Sequence, residues 1–475
     1  MIQQANILDT PPDEIISIPL SANKIHVKQF YNKRIKKIIV PCKCKLTLIC
    51  FDSFSFSSIE SIAIPKSVKE IEQYAFSYCK NLKTVKFAED NEYIKIGSYS
   101  FFESSIESLY FPSGIIDFDD DWSYGTSQLK QIFLPKSNNQ LAYNDQILLL
   151  KAENIITFAS RDIQNVVIPS FIKQICSSSF YSCNQIKFLD LSKNLELNSI
   201  GPHSFCNSSI EVIIIPENVK TIGKYSFSCC KKLNKVIFTE NSKLTNIEKN
   251  AFAFTSIEFI VIPASVKIID DNAFSSCKQL KIVELMLNSQ LQRIGKSCFY
   301  DCSKLKEIQI PNNSELEIID EYAFYRSPLD YFYIPPKVST IKPFTFEKCE
   351  TIEVSKNSDY IKIEKNAFSY VDKFLIMSKN VEFADDWAFE ISYLNKVEFS
   401  KFNTKYKYLD NQYIVTKSDE KSDIYDVLLY ARRGIILATI PSYIKIIASY
   451  AFSNCYRLRN LTFSKNSELT IIKNH

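Results

Sequence analysis

Residues 262–285 read Ile262-Pro263-Ala264-Ser265-Val266-Lys267-Ile268-Ile269-Asp270-Asp271-Asn272-Ala273-Phe274-Ser275-Ser276-Cys277-Lys278-Gln279-Leu280-Lys281-Ile282-Val283-Glu284-Leu285. The skeleton of this stretch returns along the chain: an I-P step, V/I-K-x-I, A/S-F, and often a cysteine three residues past the phenylalanine. Ile64-Pro65 leads through Val68, Ile71 and Ala75-Phe76 to Cys79, and Ile215-Pro216 leads through Val219, Ile222 and Ser226-Phe227 to Cys230. Phenylalanines 180, 205, 227, 252, 274, 299, 324, 346, 368 and 389 stand 21 to 25 residues apart. Phe76 and Phe101 share the 25-residue step, and Phe452 resumes the series. A fixed period of this size is the signature of stacked coils.

Long coils carry a polar turn, as in Thr239-Glu240-Asn241-Ser242-Lys243-Leu244. Short coils replace it with the I-P step, where proline fixes φ and ends a strand. Between anchor and turn runs L-x-x-V-x-F, as in Leu82, Val85, Phe87 or Leu233, Val236, Phe238. Its period of two sends alternate side chains inward and predicts one short strand per coil in a parallel sheet. The A-F-x-x-C segment is too short for a full helix and is predicted to form one helical or 3₁₀ turn. One coil cannot bury both its strand face and its anchor; only stacking does so. Each buried anchor is worth roughly 1.5–3 kcal/mol.

The phrase I-P-x-S-V-K-x-I-x-x-x-A-F-x-x-C-x-x-L-x-x-V-x-F resembles the leucine-rich repeats of the BspA-like surface-antigen family, over roughly residues 35–475. The resemblance implies an α/β repeat solenoid: a leucine-rich-repeat horseshoe with a parallel sheet on its concave face and short helical or 3₁₀ turns on the other side. It also implies adhesion or protein binding at a cell surface, and it carries over no catalytic residue.

The repeat breaks twice, and the breaks look alike. Tyr143-Asn144-Asp145-Gln146-Ile147-Leu148-Leu149 is followed by Ile155-Ile156-Thr157-Phe158-Ala159, and Leu409-Asp410-Asn411-Gln412-Tyr413-Ile414-Val415 by Val427-Leu428-Leu429-Tyr430-Ala431. Two apolar runs joined by a polar link predict β-hairpin insertions, near 139–165 and 403–438. The domain reading is an N-terminal segment or cap at 1–34 and one repeat array at 35–475. The last residues, Leu469 to His475, match the approach to an anchor, so an uncapped final coil that self-associates is a second expectation.

Composition excludes several classes of function. Seven glycines in 475 residues leave no G-x-G-x-x-G, and the lone GKS (Gly295, Lys296, Ser297) has Gln290 where a phosphate loop needs glycine. His26, His203 and His475 lie too far apart in sequence for a zinc motif or the usual triad spacings. Lys+Arg 57 less Asp+Glu 53 gives +4, which implies no bulk affinity for nucleic acid. No apolar run reaches the length of a membrane span and the N-terminus shows no secretory signal, so the sequence reads as cytoplasmic where the resemblance implies a cell surface.

Cys79, Cys183, Cys230, Cys277, Cys302, Cys349 and Cys455 all follow an anchor by three residues. Locking to the repeat points to small buried thiols rather than disulfides. Cys42-Lys43-Cys44 lacks the second pair of a zinc site. Asp117, Asp119, Asp120 and Asp121 read as a solvated acidic turn without the glycine and glutamate of a calcium loop. Lys24 to Lys45 holds eight basic residues and no acid, and reads as a solvated cap.

The x positions of L-x-x-V-x-F are the informative ones. Phe188, Val212, Ile214, Ile237, Phe259, Val261, Ile282, Tyr331 and Tyr333 are expected to face solvent as an apolar stripe on the concave sheet. The expected function is a non-enzymatic, adhesin-like module that needs no cofactor or metal. Its ligand is a protein, with peptide or glycan as alternatives; the other reading is a self-associating array without a separate ligand.

Overall fold

The computed structural model describes residues 14–474, apart from 369, 377, 390 and 392. It comprises two compact units, Met1–Lys232 and Leu233–His475. Each is a stack of β-coils, and a regular coil contributes two strands rather than one. In the second unit the long strands Phe259–Ile262 and Ile282–Leu285 pair parallel in register, as do Tyr331–Ile334, Thr351–Val354, Lys373–Ile376 and Lys396–Phe399. A second parallel sheet joins two-residue strands: Asn246–Ile247, Ile268–Ile269, Arg293–Ile294 and Ile318–Ile319. The first unit repeats the scheme with Ser61–Ile64 and Thr84–Phe87 on the long side, and Lys24–Ile25, Leu48–Ile49 and Glu70–Ile71 on the short side. The short strands come from V/I-K-x-I, whose final isoleucine points inward and is buried, as at Ile71, Ile222 and Ile269, except in the last coil, where the equivalent Ile472 is exposed. In short coils the long strand stops at the isoleucine before proline, at Ile64 and Ile262, because proline has no N–H to continue the ladder.

Residues 14–34 are already part of the stack in the first unit. Glu14–Ser17 pairs with Ile35–Ile39, and Lys24–Ile25 with Leu48–Ile49. The earlier residues of the 1–34 segment lie outside the described residues.

The predicted helical or 3₁₀ turn is absent: among the described residues there is no helix. Left-handed residues flank the anchor two positions before and two after. Asn250 and Phe254 bracket Phe252 at φ 56° and 61°, and Asn272 and Ser276 bracket Phe274 at 57° and 58°. A helix cannot form through residues of alternating hand. The amides then divide their work. Ala251 and Ala253 N–H close local turns onto Glu248 and Asn250 carbonyls, while Phe252 and Phe254 N–H donate to Ala273 and Ser275 of the next coil at 2.8 and 2.9 Å. A left-handed L-residue costs roughly 1–2 kcal/mol, and the inter-coil bonds formed along the stack offset that cost.

The anchors form the predicted ladder. Phe30, Phe54, Phe76 and Phe101 stack at centroid distances of 5.1, 4.9 and 5.7 Å. In the second unit Phe252, Phe274, Phe299 and Phe324 stack at 5.3, 5.4 and 5.6 Å. All of these are buried. The ladder ends at Phe368, since Phe389 is only half-buried and Ala388 holds the interior position.

The cysteines three residues past the anchors do more than fill space. Cys79, Cys277 and Cys302 donate to the carbonyls of Phe54, Phe252 and Phe274, each the anchor one coil earlier, at 3.0, 3.1 and 3.2 Å. Where coils alternate, the same position of the neighbouring coil is Ser or Thr: Ser57 meets Cys79 at 3.5 Å and Thr255 meets Cys277 at 3.2 Å. Burial pushes the Cys79 thiol up to about 12 and the Cys277 thiol up to about 11, which keeps S–H available as a donor.

Candidate functional site: the long-strand face and the hairpin coils

On the long strands inward and outward residues alternate. Phe188, Val212 and Ile214 are exposed in the first unit. In the second, Phe259 (45% exposed) and Tyr331 (44%) are open, and Ile237, Val261, Ile282 and Tyr333 are half-buried. Parallel register sets these side chains in rows. One row runs Lys235, Phe259, Ile282 and Glu307, and the row beside it contains Val261 and Glu284. The first row continues from Glu307 through Tyr331 to Thr351, Tyr333 stands beside Glu353, and the Tyr331 hydroxyl donates to Glu353 at 2.9 Å.

The rows enclose a shallow hollow of about 560 Å³, floored by Ile237, Phe238, Phe259 and Val261 and closed by Pro263 and Met286. Lys235, Glu240 and Glu258 stand at its margin. Lys281 pairs with Glu258 at 2.7 Å and holds that carboxyl below its usual range. The site has an apolar floor, a mixed-charge rim and no nucleophile–base pair. It suits the burial of apolar side chains from a ligand.

The hairpin coils hold residues that the sequence reading passed over. Leu141–Asn144, Ile147–Leu150 and Ile155–Ala159 form an antiparallel meander whose last strand pairs parallel with the short strand Gln174–Ile175. In the second unit Tyr406–Leu409, Tyr413–Thr416 and Val427–Ala431 do the same against Ile446–Ile447. No phenylalanine occupies the anchor position in these coils or the coil before them. Small residues stand there instead, Ser123 and Ala159 in one unit and Ala388 and Ala431 in the other, all buried.

A buried arginine fills each gap. Arg161 donates to the carbonyls of Ser123, Thr126, Ala159, Ser178 and Ser179 at 2.9–3.4 Å. Arg433 donates to those of Ala388, Ile391, Ala431, Tyr450 and Ala451 at 2.8–3.3 Å. Neither meets a carboxylate at ion-pair distance among the described residues. Each guanidinium packs on an aromatic face, Phe158 at 4.6 Å and Tyr430 at 4.4 Å. Burial lowers the Arg161 pKa, yet arginine keeps its charge in proteins. The chain's two tryptophans complete the pattern: Trp122 packs on Phe118 and Phe158, Trp387 on Phe383 and Tyr430. The signal was available in the twin motifs F-x-D-D-W and [FY]-A-x-R, at 118–122 with 158–161 and at 383–387 with 430–433.

The other candidates resolve as follows. Cys42 is exposed while Cys44 and Cys50 are buried. Among the described residues no group of three or more His, Cys, Asp or Glu side chains is placed to hold a metal ion. The basic residues at 24–45 are mostly exposed and spread over long-strand, short-strand and turn positions. Asp117 to Asp121 lie at the mouth of a cavity beside the first hairpin.

Comparison with known proteins gives the chain a family. The pneumococcal vaccine antigen PcpA is similar in structure at 18% identity and TM-score 0.48, covering 82% of this chain and 79% of that one. A leucine-rich repeat protein of Eubacterium ventriosum is similar at 19% identity and TM-score 0.48, over 72% and 89% of the two chains. One of Bacteroides ovatus is similar at 18% and TM-score 0.38, over 87% and 82%. No curated protein matches the sequence significantly. The model of the BspA type leucine rich repeat region matches residues 47–145, 154–281, 278–396 and 419–475, which covers most of the chain. The chain belongs to the BspA-type leucine-rich repeat family.

Proposed function

We propose that this protein is a non-enzymatic interaction module whose long-strand face binds an extended segment of a protein ligand. The observation that carries this reading is the hollow between the strands Lys235–Phe238 and Phe259–Ile262, with Phe259 open at its floor. Apolar anchors from the ligand would displace water from Ile237, Phe259 and Val261 and supply the affinity. Lys235 and the carboxylates Glu240 and Glu284 would set charge selection at the rim. Tyr331 and Tyr333 extend the same face toward polar contacts. In the first unit Phe188, Val212 and Ile214 offer apolar anchors of the same kind.

The test is selection from a displayed random peptide library on the immobilised protein. Enriched peptides should carry apolar residues at alternate positions and should lose binding to the variant Phe259→Ser with Ile237→Ser, whose far-ultraviolet circular dichroism is unchanged. Peptides that bind this variant as well as the native chain would move the ligand site elsewhere. A variant that unfolds would make these side chains part of the core.

A further inference from the structure

The cavity beside the first hairpin, about 390 Å³ in volume, lies on the short-strand side of the first unit and is separate from the face just described. Five carboxylates line it, Asp117, Asp119, Asp120, Asp121 and Glu153, and no lysine or arginine does. Three are engaged within the protein. Asp117 accepts from the Tyr93 hydroxyl at 3.3 Å, and Asp119 meets Lys95 Nζ at 3.3 Å. Asp121 accepts from the hydroxyls of Tyr99, Ser177 and Ser178. Asp120 and Glu153 are exposed and have neither a hydrogen bond nor an ion pair among the described residues.

A second observation is independent of charge. Trp122 forms part of the cavity wall and is 2% exposed, yet its indole N–H has no hydrogen-bond partner. A buried donor left without an acceptor costs roughly 1–3 kcal/mol, and such groups are rare. The ring packs against Phe118 at 4.8 Å and Phe158 at 5.8 Å, and neither neighbour offers the N–H an acceptor. The carboxylates are not gathered as a metal cage, because among the described residues no three acidic, His or Cys side chains are placed to hold an ion. Between them lie Ile115, Phe118, Leu150 and Ile155, apolar surface that a bare ion would not use.

We infer that this cavity binds an organic cation, an alkylammonium or guanidinium head, on a molecule that also carries a carbonyl oxygen. The head pairs with Asp120 and Glu153 beside the Tyr93 ring. The alkyl stem lies on Ile115, Phe118 and Leu150, and the carbonyl accepts from Trp122 Nε1. Lysine or arginine within a peptide has all three parts, whereas a free polyamine has only the first two. In the twin motif of the second unit Ala384 stands in the place of Asp119, and Asp386, in the place of Asp121, meets Lys365 at 3.8 Å.

Calorimetric titration of the full chain tests this with N-acetyl-lysine amide and N-acetyl-arginine amide, against the neutral N-acetyl-norleucine amide and against putrescine. The basic amides should bind and the norleucine analogue should not. Asp120→Asn with Glu153→Gln, at two exposed positions, should weaken binding at least ~10-fold with unchanged circular dichroism. With two tryptophans in the chain, the ¹H–¹⁵N spectrum has two indole signals, and one of them should shift on binding. Equal binding of the norleucine analogue, full affinity in the double variant, or two unmoved indole signals would each overturn the inference. Putrescine binding as tightly as the amides would remove the carbonyl and the peptide origin with it.

Discussion

The regular coils and the hairpin coils solve one packing problem in opposite ways. At Phe252, Phe274 and Phe299 the interior is filled by stacked rings, and backbone amides of each anchor turn reach the next coil. At the hairpins the interior positions are Ser123 and Ala159, or Ala388 and Ala431, and one guanidinium collects carbonyls from the coils on both sides. The first solution is apolar and repeats without limit. The second is polar, depends on one side chain, and allows a meander to replace an anchor turn. A stack can therefore be interrupted without being cut, provided something ties together the carbonyls of the coils on both sides.

Arg161→Met is the severest way to break this comparison. It removes five charge-assisted hydrogen bonds to carbonyls, although those of Ser123, Thr126, Ser178 and Ser179 keep a backbone N–H donor, so at roughly 1 kcal/mol for each bond lost a decrease on the order of 5 kcal/mol is expected in urea unfolding. Arg433→Met should behave likewise, and a mild effect at either position would mean that water replaces the guanidinium. Phe274→Ala should come next, at ~3–5 kcal/mol, from the cavity opened between stacked rings. An unchanged melting curve would remove it from the core.

Cys277→Ala should cost about 0.5–1.5 kcal/mol for the lost bond to the Phe252 carbonyl, and Cys277→Ser should recover much of it. Equal stability of the two variants would show that the thiol only fills space. Burial of the same thiol has a pH signature. Folding raises the Cys277 pKa from 9.0 to about 11, so the thiol's contribution is complete below pH 9 and is lost as the pH climbs toward 11. Cys277→Ala should flatten that alkaline decline. The smallest effect belongs to the exposed pair Lys281–Glu258, where Lys281→Met should leave stability unchanged within error and alter only the salt dependence.

The sequence carried the period, the long strands, the buried anchors and the outward placement of Phe259 and Tyr331, because each rests on side-chain polarity at a fixed spacing. It hid the short strands, since two residues such as Ile268–Ile269 are too few for a period to emerge. It also hid the hand of the anchor turn. Asn272 and Ser276 announce a turn but not which one, and Tyr74 at φ 58° gives no hint of a left-handed backbone. Phe389 looked like an anchor because an A-F pair was present, whereas Trp387-Ala388 one step earlier occupies the interior. Arg161 and Arg433 escaped notice because a lone arginine reads as surface charge until its carbonyl partners are known. The acidic cavity was visible only as a run of aspartates; Glu153 and Tyr93 come to it from separate coils.

The alternation of Ser or Thr with Cys three residues past the anchors bears on how such a gene lengthens. Thr255 and Cys277 are bonded across neighbouring coils, so the smallest segment that duplicates without disturbing the bond is a pair, as from Phe252 to Phe299, 47 residues. Unequal recombination by one coil would set like residues side by side, as at Cys277 and Cys302. There Cys302 donates to the Phe274 carbonyl, and the next coil's Ser327 takes up the Phe299 carbonyl and the Cys302 N–H. A phase slip of one coil would leave a junction of this kind, and these hydrogen bonds show that the stack can absorb it.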